Sequence, residues 1–90
     1  MSMDREDKQL LENLFDSLDR LFDRESRVLD VFQILYATEK AINTGSLNLS
    51  LSGYIADLGD IVRGSESEEI QRERALLVTD KLRKILNEIL

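Results

Sequence analysis

Residues 10–22 read LLENLFDSLDRLF, and this stretch decides the fold class. Its apolar residues recur at steps of three and four, and a helix turning ~100° per residue brings such positions to one side. The pattern predicts an amphipathic helix over about residues 4–24, with Ser2 or Asp4 as its N-cap. The apolar side consists of Leu10, Leu11, Leu14, Phe15, Leu18, Leu21 and Phe22.

Two of the three later segments show the same helical spacing throughout. One helix is predicted over residues 27–43, with Ser26 as its N-cap and Asn43-Thr44-Gly45-Ser46 as its stop signal. The last helix is predicted over residues 67–89, capped by Ser65 or Ser67.

The remaining segment, residues 47–63, contains both helical and strand-like spacing. Leu47, Leu49 and Leu51 alternate as in a strand, whereas the spacing is helical from about Ser52 onward. A single strand in a helical chain would have no partner, so a third helix is predicted, with the state of residues 46–52 left open. The chain is therefore expected to be all-α: one domain over residues 1–90, a compact antiparallel bundle of about four helices.

The composition argues against catalysis. The chain has no His and no Cys, so the usual pairs of nucleophile and base, thiolate metal sites and disulfides are unavailable. It also lacks a Gly-x-Ser-x-Gly elbow and a glycine-rich phosphate loop. We expect a cytoplasmic protein that is not an enzyme and that uses no metal or cofactor.

The net charge of −6 indicates which partners suit the chain. Nucleic acid requires cations that displace counterions from phosphate, so direct nucleic-acid binding is not expected. No run of 18 apolar residues and no secretory signal is present, so no membrane association is expected either. The acidity favours a basic protein partner, or serves solubility alone.

Acidic residues form a stripe on the first predicted helix. Four of them are spaced by four, three and four residues and fall within ~60° around the helix. Like charges at these spacings repel, so folding alone does not favour the arrangement. The stripe is either a solvated face or a contact surface for a basic protein, and it consists of Glu12, Asp16, Asp19 and Asp23.

Glu39 interrupts the apolar side of the second predicted helix. It is either at the exposed rim of the bundle, in an ion pair with an arginine such as Arg74, or part of a binding surface. It shares a 4-3-4-3 register with Val28, Phe32, Leu35 and Ile42.

The third and fourth helices supply two further candidate surfaces. Tyr54, Asp57 and Asp60 are candidate partner-binding residues, although Tyr54 also fits the core-facing stripe. Leu49, Leu76 and Leu77 fall off the predicted core faces, and together they could form a homodimer interface.

Size, acidity, the lack of Cys and the helical bundle make the chain similar to the small acidic bacterial immunity proteins. The nuclease-colicin immunity bundles open their third helix with Asp-Tyr-Tyr-Pro, whereas this chain has Gly53-Tyr54-Ile55-Ala56-Asp57 and no proline. The resemblance implies a cytosolic inhibitor that occludes a basic toxin or nuclease domain with an acidic surface. The alternative is a self-associating helical adaptor or regulatory protein.

Overall fold

The computed structural model describes residues 5–42 and 51–90, and it confirms the all-α bundle. Four helices run in chain order, and these two ranges contain no strand. The helices are α1 (Arg5–Phe22), α2 (Val28–Ala41), α3 (Ser52–Arg63) and α4 (Glu68–Ile89).

The four helices pack side by side, and the ion pairs between α1 and α4 show that these two helices are antiparallel. α1 contacts α2 and α4, and α3 contacts the same two helices, so α1 and α3 lie diagonally opposite. Asp19 of α1 pairs with Arg83 near the end of α4, whereas Arg24, just beyond α1, pairs with Glu69 at the start of α4. The first and last helices therefore lie against each other along their lengths.

Leucine dominates the core because its side chain tolerates helix geometry and buries a large apolar area. Leu14, Leu35, Leu58 and Leu82 contribute one fully buried side chain from each helix. Full burial of such a side chain contributes about 1.5–3 kcal/mol. The other buried apolar residues are Leu11, Leu18, Leu21, Val28, Val31, Ile42, Leu51, Ala75 and Leu86.

Two predicted helix starts can be compared with the structure. The N-cap of α2 is Arg27, and the prediction of Ser26 is wrong: the Arg27 backbone N–H donates to the Asp30 side chain at 3.1 Å. Ser67 caps α4, and its hydroxyl accepts from the Ile70 N–H at 3.3 Å. The predicted caps Ser2 and Asp4, the stop signal at 43–46 and residues 46–50 of the ambiguous segment lie outside the described residues.

The end of α1 is a Schellman turn built on a non-glycine residue. The Glu25 N–H donates to the Arg20 carbonyl and the Arg24 N–H to the Leu21 carbonyl, with Arg24 at φ 65°. Glycine usually occupies that left-handed position, because a Cβ there costs roughly 1–2 kcal/mol. Arg24 instead forms a bidentate pair with Glu69, at 2.9 and 3.0 Å, that joins the turn to α4.

The buried face of α2 is rotated from the predicted register. The residues of this buried face are Val28, Val31, Leu35, Thr38 and Ile42. Thr38 therefore occupies the buried position that was predicted for Glu39. The Thr38 hydroxyl is satisfied by the Ile34 carbonyl at 2.7 Å. Glu39 is half-buried beside this face, and Arg74 pairs with Glu66 rather than with Glu39.

Candidate protein-binding site

A surface cleft of ≈ 450 Å³ lies between α1 and α4. We call it the α1–α4 cleft. Its walls combine apolar side chains with three charged ones, a composition suited to an apolar anchor held among ionic contacts. The lining residues are Leu18, Phe22, Glu73, Leu76, Leu77, Thr79, Asp80 and Arg83.

The apolar part of the cleft extends from the core to the surface. Leu18 is buried, Leu76 is half-buried against the core, and Phe22 and Leu77 are 56% and 80% exposed. The predicted exposure of Leu77 is confirmed. The prediction is wrong for Leu76, which packs on the core, and for Phe22, which leaves the core at the last turn of α1.

Arg83 joins the two walls of the cleft. Its Nη2 atom lies 2.6 Å from Oδ1 of Asp19, and its guanidinium lies 5.2 Å from the centre of the Phe22 ring. The ion pair with Asp19 holds the guanidinium in place, and the cation–π contact, of about 0.5–1 kcal/mol at an exposed site, favours this orientation of the Phe22 ring. The aromatic wall is thus held in place before any ligand arrives.

Glu73 and Asp80 provide the acidic rim. Both carboxylates are exposed on α4, on either side of the pair Leu76–Leu77. Asp80 lies 3.1 Å from Lys84, in a solvent-exposed pair of the kind that contributes about 0.3–0.5 kcal/mol. Such a weak pair can exchange for a stronger one with a ligand.

The acidic stripe of α1 continues this rim in part. Asp19 is half-buried against Arg83, and the exposed Asp23 directly follows Phe22. Glu12 and Asp16 are exposed farther along the helix, and Asp16 pairs with Arg20 at 3.1 Å. None of the four predicted residues lines the cleft, and only Asp19 contacts a lining residue, through its pair with Arg83. Asp16 forms an ordinary surface pair.

The other predicted candidates do not line the cleft. Tyr54 is half-buried and packs against the core, as its position in the helical stripe indicated. Asp57 and Asp60 are exposed on α3, where Asp60 pairs with Arg63 at 2.8 Å. Glu39 lies on α2, and Leu49 is outside the described residues.

A second cavity, of ≈ 750 Å³, lies at the end of the bundle where α1 ends and α4 begins. Its arginines face carboxylates: Arg24 pairs with Glu69 at 2.9 Å and Arg27 with Glu68 at 3.5 Å. The hydrogen bonds and charge of Arg24 lower the pKa of Glu69, and Glu69 raises the pKa of Arg24 in return. These charges join the helix ends, so we assign them a structural role.

Of the residues that line the cleft, sequence reasoning singled out only Leu76 and Leu77 as surface candidates. Phe22 was assigned to the apolar side of α1, and Glu73, Asp80 and Arg83 were not singled out. The sequence did contain a pattern that could have identified Glu73 and Asp80. They are seven residues apart, on either side of Leu76 and Leu77. The packing of α1 on α4 was needed to add Phe22 and Arg83.

A comparison with protein-family models, curated proteins and solved structures finds no match to this chain. Within residues 5–42 and 51–90, no group of three or more acidic, His or Cys residues could hold a metal ion. None of the helices in that part of the chain has the length and apolar character needed to cross a membrane.

Proposed function

We propose that the chain is a protein-binding inhibitor that occludes a basic surface of its target with the α1–α4 cleft. The observation that carries the proposal is that exposed Phe22 of α1 and exposed Leu77 of α4 line one cleft together with the carboxylates Glu73 and Asp80. Together with the resemblance to small acidic immunity proteins, this arrangement favours an immunity protein. Its target would be a basic toxin or nuclease domain in the cytoplasm.

The cleft supplies the two components of such an interface. Phe22 and Leu77 offer apolar area on rigid helices, where burial costs little conformational entropy. The carboxylates, including Asp23 beside Phe22, attract a basic surface over several ångströms and raise the association rate. Toxin nucleases are basic where they bind phosphate, so an acidic inhibitor placed there also blocks the substrate.

The test combines affinity capture with kinetics. The tagged wild-type chain and two variants, Leu77→Asp and Glu73→Lys/Asp80→Lys, are used to capture proteins from a lysate of the source organism. The matched control, Asp57→Lys/Asp60→Lys, makes the same charge change on α3, which does not line the cleft. We expect a basic protein that the control still captures, that Leu77→Asp no longer captures and that Glu73→Lys/Asp80→Lys captures more weakly.

The captured protein then decides the mechanism. Its activity should fall in proportion to bound inhibitor, and its association rate should fall by about tenfold or more when salt is raised to well above 0.15 M. A partner lost from the α3 control instead would place the interface on Asp57 and Asp60. An association rate independent of salt would contradict the electrostatic part of the proposal.

The exposure of Leu77 also supports the alternative, a self-associating adaptor. In that case the leucines of two copies would bury one another, and Leu77→Asp would convert a dimer to a monomer. Sedimentation equilibrium of the wild type at high concentration distinguishes the two proposals. A monomeric mass would leave only the inhibitor.

A further inference from the structure

We propose that the segment bound by the α1–α4 cleft is an amphipathic helix with two basic side chains seven residues apart and apolar residues midway between them. The inference rests on the proposed function and specifies the partner's recognition element. It is carried by the order of side chains along α4: Glu73, then Leu76 and Leu77, then Asp80.

The spacing of the two carboxylates sets the spacing of the cations. Glu73 and Asp80 are seven residues apart, so they lie within ~20° of each other around α4 and ~10.5 Å apart along its axis. A helix lying nearly parallel or antiparallel to α4 has the same rise per residue. Basic residues at i and i+7 of that helix therefore reach both carboxylates.

Leu76 and Leu77 determine which residues the docked helix needs between its two basic side chains. Leu76 and Leu77 lie midway between the carboxylates, and with Phe22 they form the apolar centre of the cleft. Apolar side chains at i+3 and i+4 of the docked helix point to that centre, because they share the face of i and i+7. One helix face thus carries all four contacts.

An extended peptide does not satisfy the same spacing. Side chains on one face of a strand repeat every ~6.6–6.8 Å, so cations on that face lie either ~6.7 or ~13.4 Å apart. Both distances miss the carboxylate separation by about 3–4 Å. The helical form is therefore the one that matches.

Lys84 competes with the docked helix for Asp80. Its Nζ atom lies 3.1 Å from the Asp80 carboxylate, and both side chains are largely exposed. A basic side chain of the partner has to displace this lysine, so Lys84→Gln should bind the partner helix several-fold more tightly than the wild type. Loss of a positive charge also favours a basic peptide in general, so this gain supports the assignment of Asp80 only together with the charge-reversal experiment below.

The test uses synthetic helices and measures affinity by fluorescence anisotropy. The matched peptide has Lys at i and i+7 and Leu at i+3 and i+4 in an Ala- and Gln-rich helix. The control has the same composition with its second Lys moved to i+5, off the shared face. We expect the matched peptide to bind at least about tenfold more tightly, and Leu77→Asp to abolish that difference.

Charge reversal provides the decisive experiment. Glu73→Lys/Asp80→Lys should lose the matched peptide, and a peptide with Glu at i and i+7 should recover binding to that variant alone. Because both positions are exposed, circular dichroism should show an unchanged helical fold. Equal affinity for the matched and shifted peptides, or no recovery by the Glu peptide, would overturn the inference. The proposed function would still stand if capture of the natural partner depended on Leu77.

Discussion

Arg72 of α4 donates a hydrogen bond from Nη2 to the backbone carbonyl of Phe22, 2.8 Å away, and thereby caps the C-terminal end of α1. Its Nε atom donates to the Leu21 carbonyl at 3.2 Å. The Arg72 side chain is 16% exposed, and its guanidinium faces the negative end of the α1 dipole. Phe22, which forms the aromatic wall of the cleft, is thus held at its backbone carbonyl by Arg72.

Removal of this cap should destabilise the whole bundle. Arg72→Met keeps the apolar stem but loses both charge-assisted hydrogen bonds, and we expect the free energy of unfolding to fall by about 2–3 kcal/mol. Urea denaturation followed by circular dichroism measures the change. Arg74→Met serves as the control, since it loses only a surface pair with Glu66. An equal effect of the two substitutions would contradict the capping role.

Replacing Ser17 by alanine should stabilise the bundle. Its side chain is 3% exposed, and among the described residues its Oγ atom has no hydrogen-bond partner. Ser17→Ala removes this unmet polar group and improves helix propensity, so we expect a gain of about 1 kcal/mol in the free energy of unfolding. Thr79→Ala is the contrast: its hydroxyl is bonded to the Ala75 carbonyl at 2.8 Å, and its removal leaves a small cavity. A loss of stability in Ser17→Ala would show that the hydroxyl is satisfied.

The two described glycines of α3 should also tolerate alanine. A Cβ at Gly53 would meet nothing within 4 Å, and one at Gly59 would touch Phe32 Cε1 at 3.4 Å, an ordinary contact. Each substitution removes a helix penalty of up to about 1 kcal/mol, so both should raise the melting temperature. Gly59→Leu is the opposing case, because its larger side chain would displace Phe32. Destabilisation by Gly59→Ala would indicate that α2 and α3 cannot yield a few tenths of an ångström.

The pair of Arg24 and Glu69 should make stability depend on pH in the acid range. Hydrogen bonds from Arg24, followed by its charge, hold the pKa of Glu69 below its ordinary value. Because the folded pKa is the lower one, this contribution is present above about pH 4.3, the unfolded value, and is lost as pH falls through the folded pKa. Chemical-shift titration should show the pKa of Glu69 returning to normal in Arg24→Gln. An unshifted pKa in the wild type would refute the pairing in solution.

Leu77 should matter for binding and not for folding. Leu77→Asp changes a side chain that is 80% exposed, so the free energy of unfolding should stay within about 0.5 kcal/mol of the wild type. Leu82→Ala, five residues away but fully buried, should cost about 2–5 kcal/mol. Thermal denaturation of both variants checks this difference. A large loss in Leu77→Asp would mean that the leucine is covered in solution, as in a dimer.

The helical bundle could be predicted from sequence because periodic leucines mark a buried side regardless of what covers it. The four helices begin and end within a few residues of their predicted bounds where the structure describes them. The register of α2 was less predictable, since Val31 and Phe32 are adjacent and both apolar, and only packing decides which faces the core. Thr38 is buried because its hydroxyl can bond its own helix, an option that Glu39 lacks.

The site was predictable only in its parts. The acidic residues of α1 and the leucines of α4 that lie off its predicted core face are visible in the sequence. Only the packing of α1 on α4 brings the two groups together. Phe22 illustrates the limit: its spacing matches the core side of α1, yet it stands at the last helical residue, where the chain leaves the bundle. Its neighbour across the cleft, Arg83, comes from the other end of the sequence.

The α1–α4 cleft is a discontinuous surface, because its two walls come from helices that are far apart in the sequence. The contact between Leu21 and Arg72 spans 51 residues, so the cleft forms only when α1 and α4 have packed together. An occupant that binds only the native state shifts the folding equilibrium towards it by mass action. A nascent or proteolytically clipped chain would have no such surface. Binding in the cleft would thus require α1 and α4 to be folded together, and loss of either helix would abolish it.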